Sequence, residues 1–215
     1  MHTVESPHMD QPSTAHFRIG WRLFWARPGI FVMPLLVMFA SWVLLEGLVI
    51  ELHELGVAFN LLVHAAFLVV FCGLAAGLAA LSLDVLSGRE ARLETLFGSL
   101  RRGPRVLAAG LLYLVWVIHG LVLLVAPGIY HAVHFGLFGM VVATTEVSAW
   151  KSLGVAATLT HGRWGEACSF FLRVVLLNLA GAALLGVGLL VSVPVTLLAT
   201  ASYYRSLTGM GAPAG

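Results

Sequence analysis

The sequence predicts an all-α polytopic membrane protein with six transmembrane helices arranged as three hairpins. Apolar residues make up 60% of the 215 and charged residues only 10%, a balance that no water-soluble domain of this size could hide in one core. The mean hydropathy of +0.96 points the same way. The apolar residues also come in runs of roughly 20, the length that crosses a hydrocarbon layer, separated by short polar connections.

The first 28 residues hold Ser6, Pro7, Pro12, Ser13, His2, His8 and His16 but no apolar run, so they do not form a secretory leader. Residues 1–15 are expected to be a disordered cytoplasmic N-terminus, 16–209 a single six-helix membrane domain and 210–215 a flexible tail. Helix 1 is predicted over 29–50, interrupted only by Glu46. Glu51, His53, Glu54 and Gly56 belong to a short polar connection to helix 2 over 57–83. After a polar stretch at 84–105, helix 3 covers 106–126 and stops at Pro127-Gly128, a pair that removes a donor and invites a turn. Helix 4 restarts near Ile129 and fades at Thr144, Thr145 and Glu146, leaving about 16 residues, below the usual span length. The run at 167–207 is too long for one span and divides into helices 5 and 6 at Gly186, Gly188 and Pro194.

Orientation follows from Lys and Arg, which concentrate in cytoplasmic loops. In this layout all twelve lie on one side: Arg18, Arg22 and Arg27 before helix 1, five arginines from Arg89 to Arg105 between helices 2 and 3, Lys151, Arg163 and Arg173 around the start of helix 5, and Arg205 at the end of helix 6. Both termini are therefore expected in the cytoplasm of a bacterial cell, in its inner membrane. A net charge of +2 without a basic block excludes nucleic acid as a natural partner. Cys72 and Cys168 fall in or beside apolar runs and read as small buried hydrophobes, not a disulfide.

An arginine-bearing segment leads into each hairpin: WRLFWARPG at 21–29, LFGSLRRGPR at 96–105 and LGVAATLTHGRW at 153–164. Such parallel repeats would be related by an axis along the membrane normal. In the second segment Leu93, Leu96, Phe97 and Leu100 share one helical face and should lie flat on the inner leaflet. In the first, Phe17, Trp21, Phe24 and Trp25 share a face flanked by Arg18 and Arg22. Trp21, Arg22, Trp25, Arg101, Arg102, Trp150, Arg163 and Trp164 are thus the candidate interface with lipid or a partner protein.

Several features of residues 126–209 carry a resemblance: Ala126-Pro127-Gly128-Ile129-Tyr130, Glu146 with Ser148, Ala149 and Trp150, Gly162-Arg163-Trp164, Asn178, Gly186-Val187-Gly188, Pro194, Tyr204 and Leu207-Thr208-Gly209. This stretch resembles the membrane domain that precedes the catalytic barrel in some bacterial glycerophosphodiester phosphodiesterases, and related stand-alone six-helix proteins. The resemblance implies a fold of six helices in three hairpins. With no barrel sequence after Gly215, it does not carry phosphodiesterase chemistry to this chain.

Ionisable groups in a bilayer are costly and each raises a functional question. At 1.5 Å per residue, His64 and His119 lie about 10 Å and about 12 Å below the outer ends of helices 2 and 3. His131 and His134 are one turn apart at the outer end of helix 4, and Glu46 approaches the same level. Imidazoles with a carboxylate suit a transition metal, and two facing histidines suit a haem iron, so His64, His119, His131 and His134 are the candidate metal ligands. Against that stand the missing His-Glu-x-x-His and Cys-x-x-Cys patterns, and bonds to neighbouring helices would satisfy the same histidines. The sequence calls for no cofactor, and without a Gly-x-Ser-x-Gly elbow or an aspartate inside a span it does not read as an enzyme. The expected role is a non-enzymatic accessory, scaffold or assembly subunit in contact with membrane lipids and a membrane-protein partner or a second copy. The alternative is a transporter of small solutes, lipid or ions, with Asn60, His119 and Asn178 lining a hydrated path; the second alternative is a metal or haem protein. Arg173, within two turns of the cytoplasmic interface, reads as an anchor that snorkels outward.

Overall fold

A computed structural model of the chain describes residues 13–51, 56–90, 92–184 and 186–209. Every regular element in them is helical: α1 (Ser13–Ala26), α2 (Pro28–Glu51), α3 (Val57–Leu86), α4 (Leu93–Gly98) running into a 3-10 turn (Ser99–Arg102), α5 (Gly103–Leu123), α6 (Val125–His134), α7 (Phe138–Thr144), α8 (Ala149–Thr160), α9 (Trp164–Ala183) and α10 (Leu189–Thr208). The tails expected over 1–12 and 210–215, His53 and Glu54 of the first connection, and the Leu93 side chain lie outside the described part. Residues 13–15, expected in the disordered tail, are the first turn of α1, and Ser13 is buried.

Among the described residues, five helical stretches are long and apolar enough to cross a membrane: α2, α3, the stretch from α4 through α5, the stretch 125–144 that joins α6 and α7, and α9. Helix α10 is not among them, although it is 20 residues long. Its Ser192, Thr196, Thr200, Ser202, Tyr203, Tyr204 and Arg205 lower its hydropathy. The same helix is buried from Ser192 through Tyr204 on most of its faces. A helix enclosed by other helices can carry hydroxyls because protein, not lipid, satisfies them.

Two breakpoints differ from the sequence expectation. The chain reverses between α5 and α6 at Leu124, whose backbone is extended, three residues before the Pro-Gly pair. Pro127 then falls in the first turn of α6, where its missing N–H has no intrahelical acceptor to lose. The expected short helix 4 gains residues in this way, and 125–144 reaches span length, with a break at 135–137. Pro194, taken as a possible break, lies inside α10.

Helices α3, α7 and α10 meet at the centre. Ala76 and Ala79 of α3 pack with Met140, Val141 and Ala143 of α7 and with Ala199, Ala201, Tyr203 and Tyr204 of α10. Helices α2, α5 and α9 stand around them with wide apolar faces outward, among them Val37 and Leu44, Val115 and Val122, and Leu172 and Leu179.

The lead-in segments pack against other helices. Helix α1 crosses α10 so closely that a Cβ on Gly20 would sit 2.6 Å from the Val195 carbonyl oxygen. Its buried face is Ser13, His16, Gly20 and Phe24, whereas Trp21 and Trp25 face outward. The second segment is broken into a six-residue helix and a 3-10 turn. Its backbone presses on α3, where a Cβ on Gly77 would lie 2.5 Å from the Leu96 oxygen and one on Gly73 would lie 2.8 Å from the Leu100 Cα. Leu96 is buried but Phe97 is exposed, so the anticipated single apolar face does not form. Helix α8, capped at its start by the Ser148 hydroxyl, folds back along α7. Leu153 packs with Val142 and Ala109, and Thr160 reaches His134. The three segments therefore rest on α10, α3 and α7, the three helices that meet at the centre.

Candidate functional site

The four candidate metal ligands separate into different neighbourhoods. His64 on α3 donates from Nδ1 to the Asn60 carbonyl at 2.8 Å, and its Nε2 faces Glu46 Oε1 of α2 at 3.5 Å. His119 is exposed on α5, its ring edge-on to Trp116 at 6.4 Å. His131 donates from Nδ1 to the Trp116 carbonyl at 3.0 Å. His134 pairs through Nδ1 with the Thr160 hydroxyl at 3.1 Å. Among the described residues, no group of three or more His, Cys, Asp or Glu side chains is placed to hold a metal ion.

The placement of Arg163 and Trp164 on the face opposite His131 and His134 needs correcting. The Tyr130 ring stacks on His134 at 4.9 Å and lies 5.0 Å from the Trp164 ring, and His134 is 6.4 Å from His161. Side chains in contact cannot occupy opposite faces of a hydrocarbon layer about 30 Å thick. His131 stays beside the α5–α6 turn, where a Cβ on Gly120 would lie 2.8 Å from its Nδ1, so it is the corner between α8 and α9 that lies on the side of the histidines and not opposite them. The cause is the fold-back of α8 along α7, together with the break at 135–137, neither of which hydropathy reports.

Of the polar residues expected to line a path, His119 is exposed, Asn60 Oδ1 is buried with no hydrogen-bond partner among the described residues, and Asn178 joins two helices. Asn178 of α9 donates to the Thr196 hydroxyl at 3.2 Å and accepts from Ser192 at 3.0 Å, both on α10. Arg173, read as an outward anchor, points its Nη1 inward, donating to Ser13 of α1 and to Ser169 at 2.7 Å. His16, which hydropathy gave no reason to single out, is buried against α10, with Nδ1 2.9 Å from the Ser202 hydroxyl and its ring edge-on to Tyr203 at 5.5 Å. Burial holds this imidazole below its ordinary pKa. The available signal was spacing: Ser13, His16, Gly20 and Phe24 recur at helical intervals, with small and polar residues where an apolar face was sought.

The predicted interface residues divide into two groups. Trp21, Trp25, Trp150 and Trp164 are exposed, at 51%, 56%, 62% and 38%, with Arg22 and Arg101 exposed as well. Arg102 and Arg163 turn to the protein. Arg163 lies 3.7 Å from Glu166, one turn on in α9. Arg102 donates to the Ala143 carbonyl at 2.5 Å and to Glu146 Oε1 at 3.2 Å, and Arg105 donates to Glu146 Oε2 at 2.7 Å and to the Thr145 carbonyl at 3.5 Å. Two arginines at the start of α5 thus cap the last carbonyls of α7, where cations also meet the negative end of a helix dipole. The hydrogen bonds from Arg105 and then Arg102 hold the Glu146 carboxyl below its usual pKa.

A crevice of about 870 Å³ opens between α2, α3 and the start of α10. Its lining is apolar apart from His64. A second hollow of about 530 Å³ lies where Trp116 and Trp150 approach at 6.3 Å, with Lys151 and Thr158 on its rim. Neither is lined by Asn60, His119 or Asn178. The chain matches no family model, no curated protein and no solved structure.

Proposed function

We propose that the chain is a six-span protein of a bacterial inner membrane, with both termini in the cytoplasm, that works by contact as an accessory, scaffold or assembly subunit. The observation that supports this reading is the division of its polar groups. Those between helices, His16, Arg173, Asn178 and Thr160, bond one helix to another, whereas Trp21, Trp25, Trp150 and Trp164 with Arg22 and Arg101 are turned outward. Indole rings and guanidinium groups suit headgroup depth, where cations also meet anionic lipid.

In this reading α10 is the sixth span, made tolerable to the bilayer by its enclosure, and the helices group as three hairpins, each with its lead-in segment. The segments rest on the last helix of a neighbouring hairpin and close the three units into a ring. The resemblance of residues 126–209 to the phosphodiesterase membrane domain supports the same grouping.

Purification in mild detergent from the native membrane, without overexpression, followed by mass spectrometry and visible absorbance, tests the proposal. A stoichiometric protein partner is expected, with retention reduced about tenfold or more by Trp150→Ala together with Trp164→Ala, since exposed tryptophans concentrate binding energy. A Soret band, a bound metal or a chain that elutes alone would overturn the accessory reading.

A further inference from the structure

The crevice beside α2 differs in kind from the closest helix contacts among the described residues. Its walls are large side chains, Phe39 and Trp42 on α2, Phe67 and Phe71 on α3, with Leu190 and Val193 at the base. Those close contacts run through glycine: Gly20 on α10, Gly73 and Gly77 on the α4 segment, Gly120 on Gly128, Gly181 on Gly188. Small residues are what allow helices to pack in a bilayer, where no hydrophobic force drives them together. Walls of leucine, phenylalanine and tryptophan instead suit flexible acyl chains, and the volume falls within the range of ligand pockets, about 300–1,000 Å³.

One end of the crevice is polar. His64 Nδ1 faces a carbonyl, which can only accept, so this nitrogen carries a hydrogen. Nε2 lies 3.5 Å from the Glu46 carboxylate. The two side chains remain 43% and 40% exposed, leaving carboxylate lone pairs free to accept from a ligand. Neither α2 nor α3 contains lysine or arginine. A phosphate would find no cation on these helices and a carboxylate nearby.

We infer that the crevice binds an uncharged, hydroxyl-headed lipid, its acyl chain between Phe39 and Phe71 and its hydroxyl donating to Glu46 beside His64. The inference rests on the membrane-protein reading above and adds a ligand class to it.

A chain with Trp42 as the only tryptophan, the other five replaced by Phe, tests it in nanodiscs carrying chain-brominated dioleoylglycerol, phosphatidylcholine or phosphatidylglycerol. Brominated dioleoylglycerol should quench Trp42 at about fivefold lower mole fraction than the other two, the size of one net hydrogen bond, and Glu46→Leu or His64→Leu should erase the difference. Equal quenching by all three lipids overturns the head-group assignment. No quenching above bulk lipid, or cross-linking of two copies through Phe71→Cys, assigns the crevice to protein and overturns the proposal. Native mass spectrometry of the chain with all tryptophans, with dioleoylglycerol added, gives the same decision without dependence on the single-tryptophan variant: a retained dioleoylglycerol supports the inference and its loss under conditions that keep phosphatidylglycerol overturns it. Glu46→Leu alone leaves Trp150 and Trp164 in place, so partner retention reports separately on the accessory reading.

Discussion

The α5–α6 and α9–α10 pairs close tightly, whereas α2 and α3 stand apart, although each pair has a glycine on either side of its turn. At the first, a Cβ on Gly120 would lie 2.7 Å from the Gly128 nitrogen. At the second, a Cβ on Gly188 would lie 2.5 Å from the Gly181 oxygen. Gly47 and Gly56 of the α2–α3 pair have nothing within 4 Å of a Cβ. A glycine beside a turn therefore marks a close contact only where backbone of the partner helix comes up against it. Around Gly47 stand Leu44, Leu48 and Ile50, all exposed, and the pair stays open where the lipid crevice lies.

The largest predicted effect tests that contrast. Gly120→Ala and Gly188→Ala push a methyl into backbone that cannot yield, and each should cost about 3 kcal/mol, near the upper end for overpacking. Gly47→Ala should cost nothing and gain about 0.5 kcal/mol, because glycine inside a helix is entropically unfavourable. Thermal unfolding in one detergent measures both. A loss at Gly47 equal to that at Gly120 would mean that α2 and α3 close against each other.

The next effect concerns the two ways in which lead-in segments attach. The α4 segment adds to its glycine contacts on α3 a hydroxyl, Thr95 donating to Asp84 at 3.4 Å, whereas α1 adds the buried imidazole of His16 to its glycine. His16→Ala strands the Ser202 hydroxyl and should cost about 2 kcal/mol. The imidazole is held neutral in the fold, with its pKa below the ordinary value of about 6.5, so the unfolded chain binds the proton first. Stability is then present above that value and is lost as pH falls below it. Unfolding midpoints at pH 7.5 and pH 5.5 should differ less in His16→Leu than in the unmodified chain, and an equal difference would remove His16 as the cause.

Much of the fold was legible because hydropathy reports what faces lipid. Helices α2 and α3 were bounded to within about three residues, since their runs are nearly free of polar side chains. Legibility failed wherever protein replaced lipid as the surroundings. The hydroxyl-rich α10 falls below the hydropathy of the five apolar stretches although it is well enclosed, and the turn at Leu124 has no compositional mark. Of the candidate sites, the proximity of Glu46 and His64 was foreseeable from their similar depth on adjacent helices. The joining of His134 to Thr160 was not, because it depends on α8 doubling back, and the inward turn of Arg102 depends on carbonyls at the end of a helix 41 positions away.

The smallest effect separates the parts of that arginine clamp. Arg102 touches both the Ala143 carbonyl and Glu146, whereas Glu146 is fully exposed, so its ion pairs are screened by water and salt. Glu146→Gln should therefore loosen the 145–148 connection only slightly, seen as modestly faster proteolysis there at low salt, and the difference should shrink as salt is raised. Because Arg105 and Arg102 hold the carboxyl below its ordinary pKa, the stabilising contribution is present above that ordinary value, about 4.3, and is lost as pH falls through the lowered one. Arg102→Ala also uncovers a carbonyl at the end of α7, so its effect should be larger and should persist at high salt. If instead the two substitutions speed proteolysis equally and salt abolishes both, the clamp holds by charge alone and the carbonyl cap contributes nothing.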